Sequence, residues 1–356
     1  MKKVVSFLLI LIVLGIVISV GLYFFLITAP SKKGNEVSFY VNEGQTYSTI
    51  AENLKDKKLI RSTYAYKIYL KTHETKNLEH GEYTLRTDYS VEELIKKLEE
   101  GTKSVASTKR VTFVEGKNMR YIIKTITSNF NITEKEILDK LKDTDYLDTL
   151  ISKYWFLTTD IKNKDIYYSL EGYLYPDTYE FYDSASVEDI FGKMLDNMDK
   201  KLEKYKDEVS NSKYTIHQMI TLASIIEQEA GNASDRKGVA GVFYNRLKGG
   251  WMLGSDVTTY YAEKIDNYSR DLKKSELNRC NAYNTRATCL KGKLPVGPIC
   301  NPGLESIIAT IEPTNHKYYY FVADKNGKTY FNETDSGHTS TVARLKREGL
   351  WIDYEN

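Results

Sequence analysis

From residue 4 to residue 27 the chain runs without a charge, VVSFLLILIVLGIVISVGLYFFLI, behind Lys2 and Lys3. Such a run exceeds the ~7–15 residues of a signal-peptide core and reaches the ~20 an α-helix needs to cross a bilayer. Phe25-Leu26-Ile27-Thr28-Ala29 offers no small-x-small cleavage site. Residues 4–27 are therefore expected to form an uncleaved transmembrane anchor, with residues 1–3 as its cytoplasmic tip. Lys32 and Lys33 balance Lys2 and Lys3, and the free amino group tips the orientation to N-terminus inside. The rest of the chain would then lie outside the cytoplasmic membrane.

After a polar linker over residues 28–36 the pattern changes period. Val37-Ser38-Phe39-Tyr40-Val41 alternates as a strand does, Glu43-Gly44 reads as a turn, and Ile50, Ala51 and Leu54 share one helical face. Gly81-Glu82-Tyr83-Thr84-Leu85 is extended and residues 91–100 helical. Val111 to Gly116 followed by Ile122 and Ile123 repeats the motif weakly: Glu43 precedes Ile50, and Glu115 precedes Ile122, by the same distance. Residues 131–164 are charged and helix-forming, and 102–164, which includes the weak repeat, reads as a connecting spacer. From residue 165 onward glycine, proline and aromatic residues become denser. Helices are expected over 187–207, 216–230 and 235–248, then a hairpin over 318–323 and 328–331 turned at Asn326-Gly327, and a last helix over 339–347. Helices and antiparallel strands in separate blocks predict an α+β fold, with 165–356 as the larger, catalytic domain.

Composition narrows the picture only in places. Lys plus Arg number 50 against 48 for Asp plus Glu, a net charge of +2 that does not suit a nucleic-acid binder. The 29 tyrosines fit either β-rich packing or platforms on which sugars stack. Cys280, Cys289 and Cys300 fall close together without a CxxC or a nearby histidine, so no zinc site is expected. One local disulfide, most simply Cys280 with Cys289, suits an oxidising compartment. His217, His316 and His338 have no partners at ligand spacing; neither metal nor cofactor is expected.

The segment TIHQMITLASIIEQEAGNASDR carries the candidate chemistry. Thr215 and Gln218 make a capping box, and Gly231 is a natural stop. Ile216, Ile220, Ala223 and Glu227 fall in one stripe, with Ala223 and Ser224 in the turn before Glu227, while Glu229 points roughly the opposite way. An acid at the end of an apolar stripe has two readings. It emerges into solvent or pairs with Arg236 or Arg246, or it keeps its proton and serves as a general acid.

Leu222-Ala223-Ser224-Ile225-Ile226-Glu227-Gln228-Glu229 resembles the signature of the MltG/YceG-like endolytic murein transglycosylases. The likeness extends, in family order, through Glu171-Gly172-Tyr173-Leu174-Tyr175-Pro176-Asp177-Thr178-Tyr179, Val239-Ala240-Gly241-Val242-Phe243-Tyr244-Asn245-Arg246-Leu247, Leu253-Gly254-Ser255-Asp256, Tyr283-Asn284-Thr285, Leu294 to Gly303, and Tyr320-Phe321-Val322-Ala323. Val257 departs from a usual proline, and the cysteine-bearing stretch from Cys280 to Cys300 is not typical. Residues 37–101 resemble a LysM-like module that grips N-acetylglucosamine polymers.

The resemblance implies cleavage of the β-1,4 bond between N-acetylmuramic acid and N-acetylglucosamine within peptidoglycan strands, leaving 1,6-anhydro ends. It places the catalytic residue on Glu227, supported by Ser224 and Arg246. It gives substrate-binding roles to Glu171, Asn245, Asp256, Tyr283, Asn284 and Thr285. It implies partners among the wall-synthesising enzymes, beside which nascent strands are terminated. A hydrolytic muramidase would need a second carboxylate, for which Glu171 and Asp256 are the candidates. A non-catalytic, membrane-tethered glycan-binding scaffold is the other alternative. Nothing in the sequence supports a pyridoxal phosphate site.

Overall fold

The computed structural model describes residues 2–42, 44–101, 108–268 and 270–351. Glu43, expected in a turn with Gly44, lies outside the described residues, as do residue 1, the start of the expected spacer at 102–107, and residues 352–356. The chain forms two compact units, Met1–Ser107 and Thr108–Asn356.

The first unit opens with helix α1 (Lys2–Leu26), which takes up the uncharged run. Its described side chains, Leu11 and Val13 onward, are largely exposed apolar groups. Among the described residues, no helix is long and apolar enough to cross a membrane. Next come β1 (Glu36–Val41), α2 (Ala51–Asp56), α3 (Thr63–Thr72), β2 (Gly81–Arg86) and α4 (Val91–Glu99). The two strands pair antiparallel from Glu36↔Arg86 to Val41↔Gly81. A two-stranded ribbon is marginal alone. The helices supply its cover, and Phe39, Val41, Ile50, Leu54, Tyr66, Leu85, Leu94 and Leu98 form one core. A Ser90/Glu93 capping box starts α4, so the turn out of β2 leads straight into that cover.

The second unit begins with β3 (Thr108–Thr112), α5 (Met119–Asn129), α6 (Glu134–Lys140) and α7 (Thr144–Lys153). Its strand β3 pairs antiparallel with β4 (Thr178–Tyr182), Val111 opposite Tyr179. Thus the segment read from sequence as a spacer packs in this unit from Thr108 onward. Val111, Met119, Ile122, Ile126, Ile137 and Leu147 share one core with α8 (Val187–Leu202) and with Ile216, Ile220 and Ala223. The expected helix over 187–207 is broken: α8 passes through a 3-10 turn into the short α9 (Lys206–Ser210).

Helix α10 (Ile216–Glu229) is the axis of this unit. Its Thr215/Gln218 capping box forms as expected. One side packs into the core just described; the other puts Leu222, Ile225 and Ile226 into a second core with Val239, Phe243, Leu253, Tyr261 and Tyr283. A helix apolar all round is a buried helix. Around it lie α11 (Arg236–Lys248), α12 (Asp256–Ala262), α13 (Lys274–Leu277) and α14 (Leu304–Ile311). The hairpin β5 (Tyr320–Ala323) and β6 (Thr329–Asn332) and the last helix α15 (Asp335–Arg347) complete the unit. The expected α+β class describes the result: helices with three two-stranded antiparallel sheets among the described residues.

Candidate active site

Because α10 turns about 100° per residue, Glu227 and Glu229 leave its last turn on opposite sides. Their surroundings differ in kind. Glu227 is 7% exposed in its side chain and meets three donors. Arg236 Nη2 donates to Oε1 at 3.2 Å, and Gly303 N and Ser306 Oγ donate to Oε2 at 3.1 and 2.6 Å. Arg236 is therefore the ion-pair partner. Arg246, the other candidate, instead donates Nε to Tyr319 O at 2.8 Å and Nη1 to Leu253 O. The Ser224 hydroxyl is engaged elsewhere than at Glu227: it donates to Thr221 O at 2.7 Å and accepts from Ile299 N at 3.0 Å.

Among the described residues Glu229 has one hydrogen-bond donor, Ser255 Oγ, at 2.5 Å from Oε1. Burial pushes its carboxyl above the usual range; the Ser255 hydroxyl opposes this, Asp256 adds to it, and Arg246 and Arg286 oppose it more weakly. Ser255 is fixed from below. Its N–H donates to Thr285 Oγ1 at 3.1 Å, Thr258 Oγ1 donates to its carbonyl at 2.7 Å, and Thr258 and Thr285 share a 2.8 Å contact. Asp256 opens α12 with its side chain 58% exposed, 3.2 Å from Arg286 Nη1.

The remaining sequence candidates are walls. Glu171 is 1% exposed. It accepts from Met119 N and Tyr261 Oη, both at 2.9 Å, and from Asn301 Nδ2 at 3.1 Å. Burial pushes it up to about 7, against the hydrogen bonds from Met119 and Tyr261 and the charge of Arg120. Tyr283, Asn284 and Thr285 are all fully buried. Tyr283 Oη accepts from Tyr167 N at 3.0 Å. Asn284 donates to the carbonyls of Glu276, Leu277 and Arg279 and accepts from Thr259 Oγ1 at 2.7 Å. Asn245 donates to His316 O and Tyr318 O at 2.8 and 2.9 Å. Glu171, Tyr283, Asn284 and Thr285 are buried with hydrogen-bond partners inside the protein, Asn245 is part-buried with its Nδ2 on two carbonyls, and Asp256 presents an exposed side chain near Glu229.

Sequence reasoning did not single out Glu229, Ser255 or Arg286. Ser255 and Glu229 were visible inside quoted motifs; the missing signal was that α10 has a second apolar face. Cys280 and Cys289 are bridged, with Cα atoms 5.9 Å apart, and Cys300 is a buried free thiol. The bridge closes the stretch that carries Tyr283, Asn284 and Thr285.

A half-buried carboxyl at the end of a central helix, beside a fixed hydroxyl and within the field of two guanidinium groups, has the groups that acid–base chemistry uses. The chain belongs to the YceG-like family, which it matches over residues 39–344. It is 33% identical over 313 residues to the endolytic murein transglycosylase of Bacillus subtilis (strain 168), covering 87% of this chain and 85% of that protein. It is 31% identical over 333 residues to the endolytic murein transglycosylase of Streptococcus pneumoniae serotype 2 (strain D39), covering 89% of this chain and 59% of that longer protein. A yceG-like protein of Listeria monocytogenes, solved at 2.6 Å, superposes with a TM-score of 0.61 at 33% identity, over 87% of this chain and 100% of that one.

Proposed function

We propose that this chain is an endolytic murein transglycosylase whose reacting carboxyl is Glu229. The family and the names of its relatives support the reaction; the observation that carries the residue is the seat of half-buried Glu229 against the fixed Ser255 hydroxyl, where desolvation raises its carboxyl. A general acid must hold its proton near neutral pH, and desolvation favours the protonated form of Glu229. Glu227, the residue the motif resemblance pointed to, is instead tied to Arg236, Gly303 and Ser306, all from outside its own helix.

In the proposed reaction Glu229 gives its proton to the glycosidic oxygen as the C1–O bond breaks, the bonding pair leaving with that oxygen. The Glu229 carboxylate then takes the proton of the same sugar's C6 hydroxyl, and O6 closes on C1 as a 1,6-anhydro ring. One carboxyl suffices and no water is consumed. Arg246 and Arg286 carry positive charge toward the carboxylate formed between the two steps. A hydrolase needs a second carboxylate in reach of water. Glu171 is sealed in the core, which leaves Asp256 for that rival reading.

The first unit extends the reading. Its order β1-α2-α3-β2 with antiparallel strands supports a LysM-like, glycan-gripping module over residues 37–101. The uncharged run from residue 4 within α1 supports a cytoplasmic-membrane anchor, N-terminus inside and the enzyme outside, where strand-synthesising enzymes would be its neighbours. Muropeptide mass spectrometry after incubating residues 32–356 with purified peptidoglycan tests the core of this. Anhydro-muramyl ends are expected, reduced roughly 10²–10⁴-fold in Glu229→Gln. Glu227→Gln should cut while melting earlier, because the part-buried Arg236 loses its charged partner at about 1–3 kcal/mol. Active Glu229→Gln beside folded, inactive Glu227→Gln would return the role to Glu227, and ordinary reducing ends would make the enzyme a hydrolase.

A further inference from the structure

The geometry points to a sugar-stacking subsite at Trp251, on the lip of the Glu229 site; it rests on the proposed reaction. Trp251 follows α11 through Gly249 and Gly250, the latter at φ +68°, a conformation that favours glycine. The turn is clamped at both ends. Trp251 N donates to Arg246 O, and Gly292 N donates to Trp251 O, each at 2.8 Å. With its backbone so fixed, the indole nevertheless remains 43% exposed. Its ring centre lies 4.9 Å from Tyr319 and 6.1 Å from Tyr320, and Arg246 sits over the Tyr320 ring at 5.6 Å. Arg246 in turn is one of the charges felt by Glu229. A row therefore runs from exposed indole through tyrosine and guanidinium to the proposed acid.

Trp251 stands four residues before Ser255, so their Cα atoms are at most about 14 Å apart. That places the indole within a few sugar rings of the reacting bond. An exposed, rigidly mounted aromatic face beside polar groups suits a partner that is apolar on one side and hydroxylated at its rim, which is the character of a pyranose ring. A protein-docking patch would need several hundred Å² of contiguous apolar surface. One indole with the half-exposed Met252 beside charged groups fits a glycan strand better.

The test uses Glu229→Gln protein, so that the strand survives, titrated with an N-acetylglucosamine hexamer and with peptide-free glycan strands by calorimetry and tryptophan fluorescence. Cleavage of peptidoglycan by the parent enzyme is measured alongside. Adding Trp251→Ala should weaken binding roughly fivefold, the worth of one aromatic contact, and Trp251→Phe should restore most of it. In the active enzyme the same substitution should raise KM more than it lowers kcat. Unchanged binding in a folded Trp251→Ala protein overturns the subsite, as does a parent that cuts peptidoglycan while Glu229→Gln binds neither probe. Absence of both binding and cleavage by the parent overturns the enzymatic reading itself, and the subsite with it.

Discussion

Two glutamates separated by one residue are assigned different work by what meets them across the fold. Glu227 is held by Arg236, Gly303 and Ser306, none of them on its own helix; Glu229 is held by Ser255. If Glu229 is the acid, activity falls as pH rises through its raised pKa, because only the protonated form can donate. Ser255 donates to the charged form and pulls that pKa down. Ser255→Ala should therefore move the alkaline limb of kcat/KM to higher pH, and a limb unmoved in the folded variant would separate Ser255 from the titrating group. The sequence made Glu227 conspicuous because periodicity shows which side of a helix is apolar. It does not show which loops arrive there. The second apolar side of α10, with Leu222, Ile225 and Ile226, was equally written in the residues. The stripe through Ile216, Ile220, Ala223 and Glu227 is the one a single-faced helix would show, and it hides the second.

At the scale of elements, the loop from Cys280 to Cys289 carries the chain past Tyr283, Asn284 and Thr285, and Thr285 holds Ser255. Its bridge thus constrains a loop two contacts from the proposed acid. Closing a loop this short is worth roughly 2–3 kcal/mol. In a unit of this size that corresponds to about 5–10 °C in Tm. Reduction, or Cys280→Ser with Cys289→Ser, should lower the melting temperature by that amount and slow cleavage at temperatures where the protein is still folded. Equal melting curves with and without reductant would show the loop held by Asn284 and its carbonyl partners alone. Local devices of this kind were legible: the Thr215/Gln218 box, the Asn326-Gly327 turn and the nearest cysteine pair all formed. Pairings such as β1 with β2 and β3 with β4 were not, since each joins segments tens of residues apart through contacts that leave no local signature.

For the whole molecule, the question is where the enzyme begins. Charge along residues 131–164 suggested a spacer, because it marks the solvent faces of α6 and α7 and masks the buried Ile137, Leu147 and Leu150 on their inner faces. Every contact of Glu227, Glu229 and Ser255 described above lies within Thr108–Asn356, which also contains both cores around α10. Residues 108–356 should accordingly fold alone, melt in one cooperative transition and leave anhydro ends on soluble glycan strands. Residues 165–356 should not. Cutting there strips β4 of its partner β3, removes Val111, Phe113, Met119, Ile122 and Ile126 from the core, and takes away the Met119 N–H that Glu171 accepts. Calorimetry and near-UV circular dichroism on the two fragments decide the matter. A cooperative 165–356 would mean that the segment before it is dispensable cover. A molten 108–356 would mean that the first unit, with its own sheet and core, is needed for the enzyme to fold and does more than add affinity for the wall.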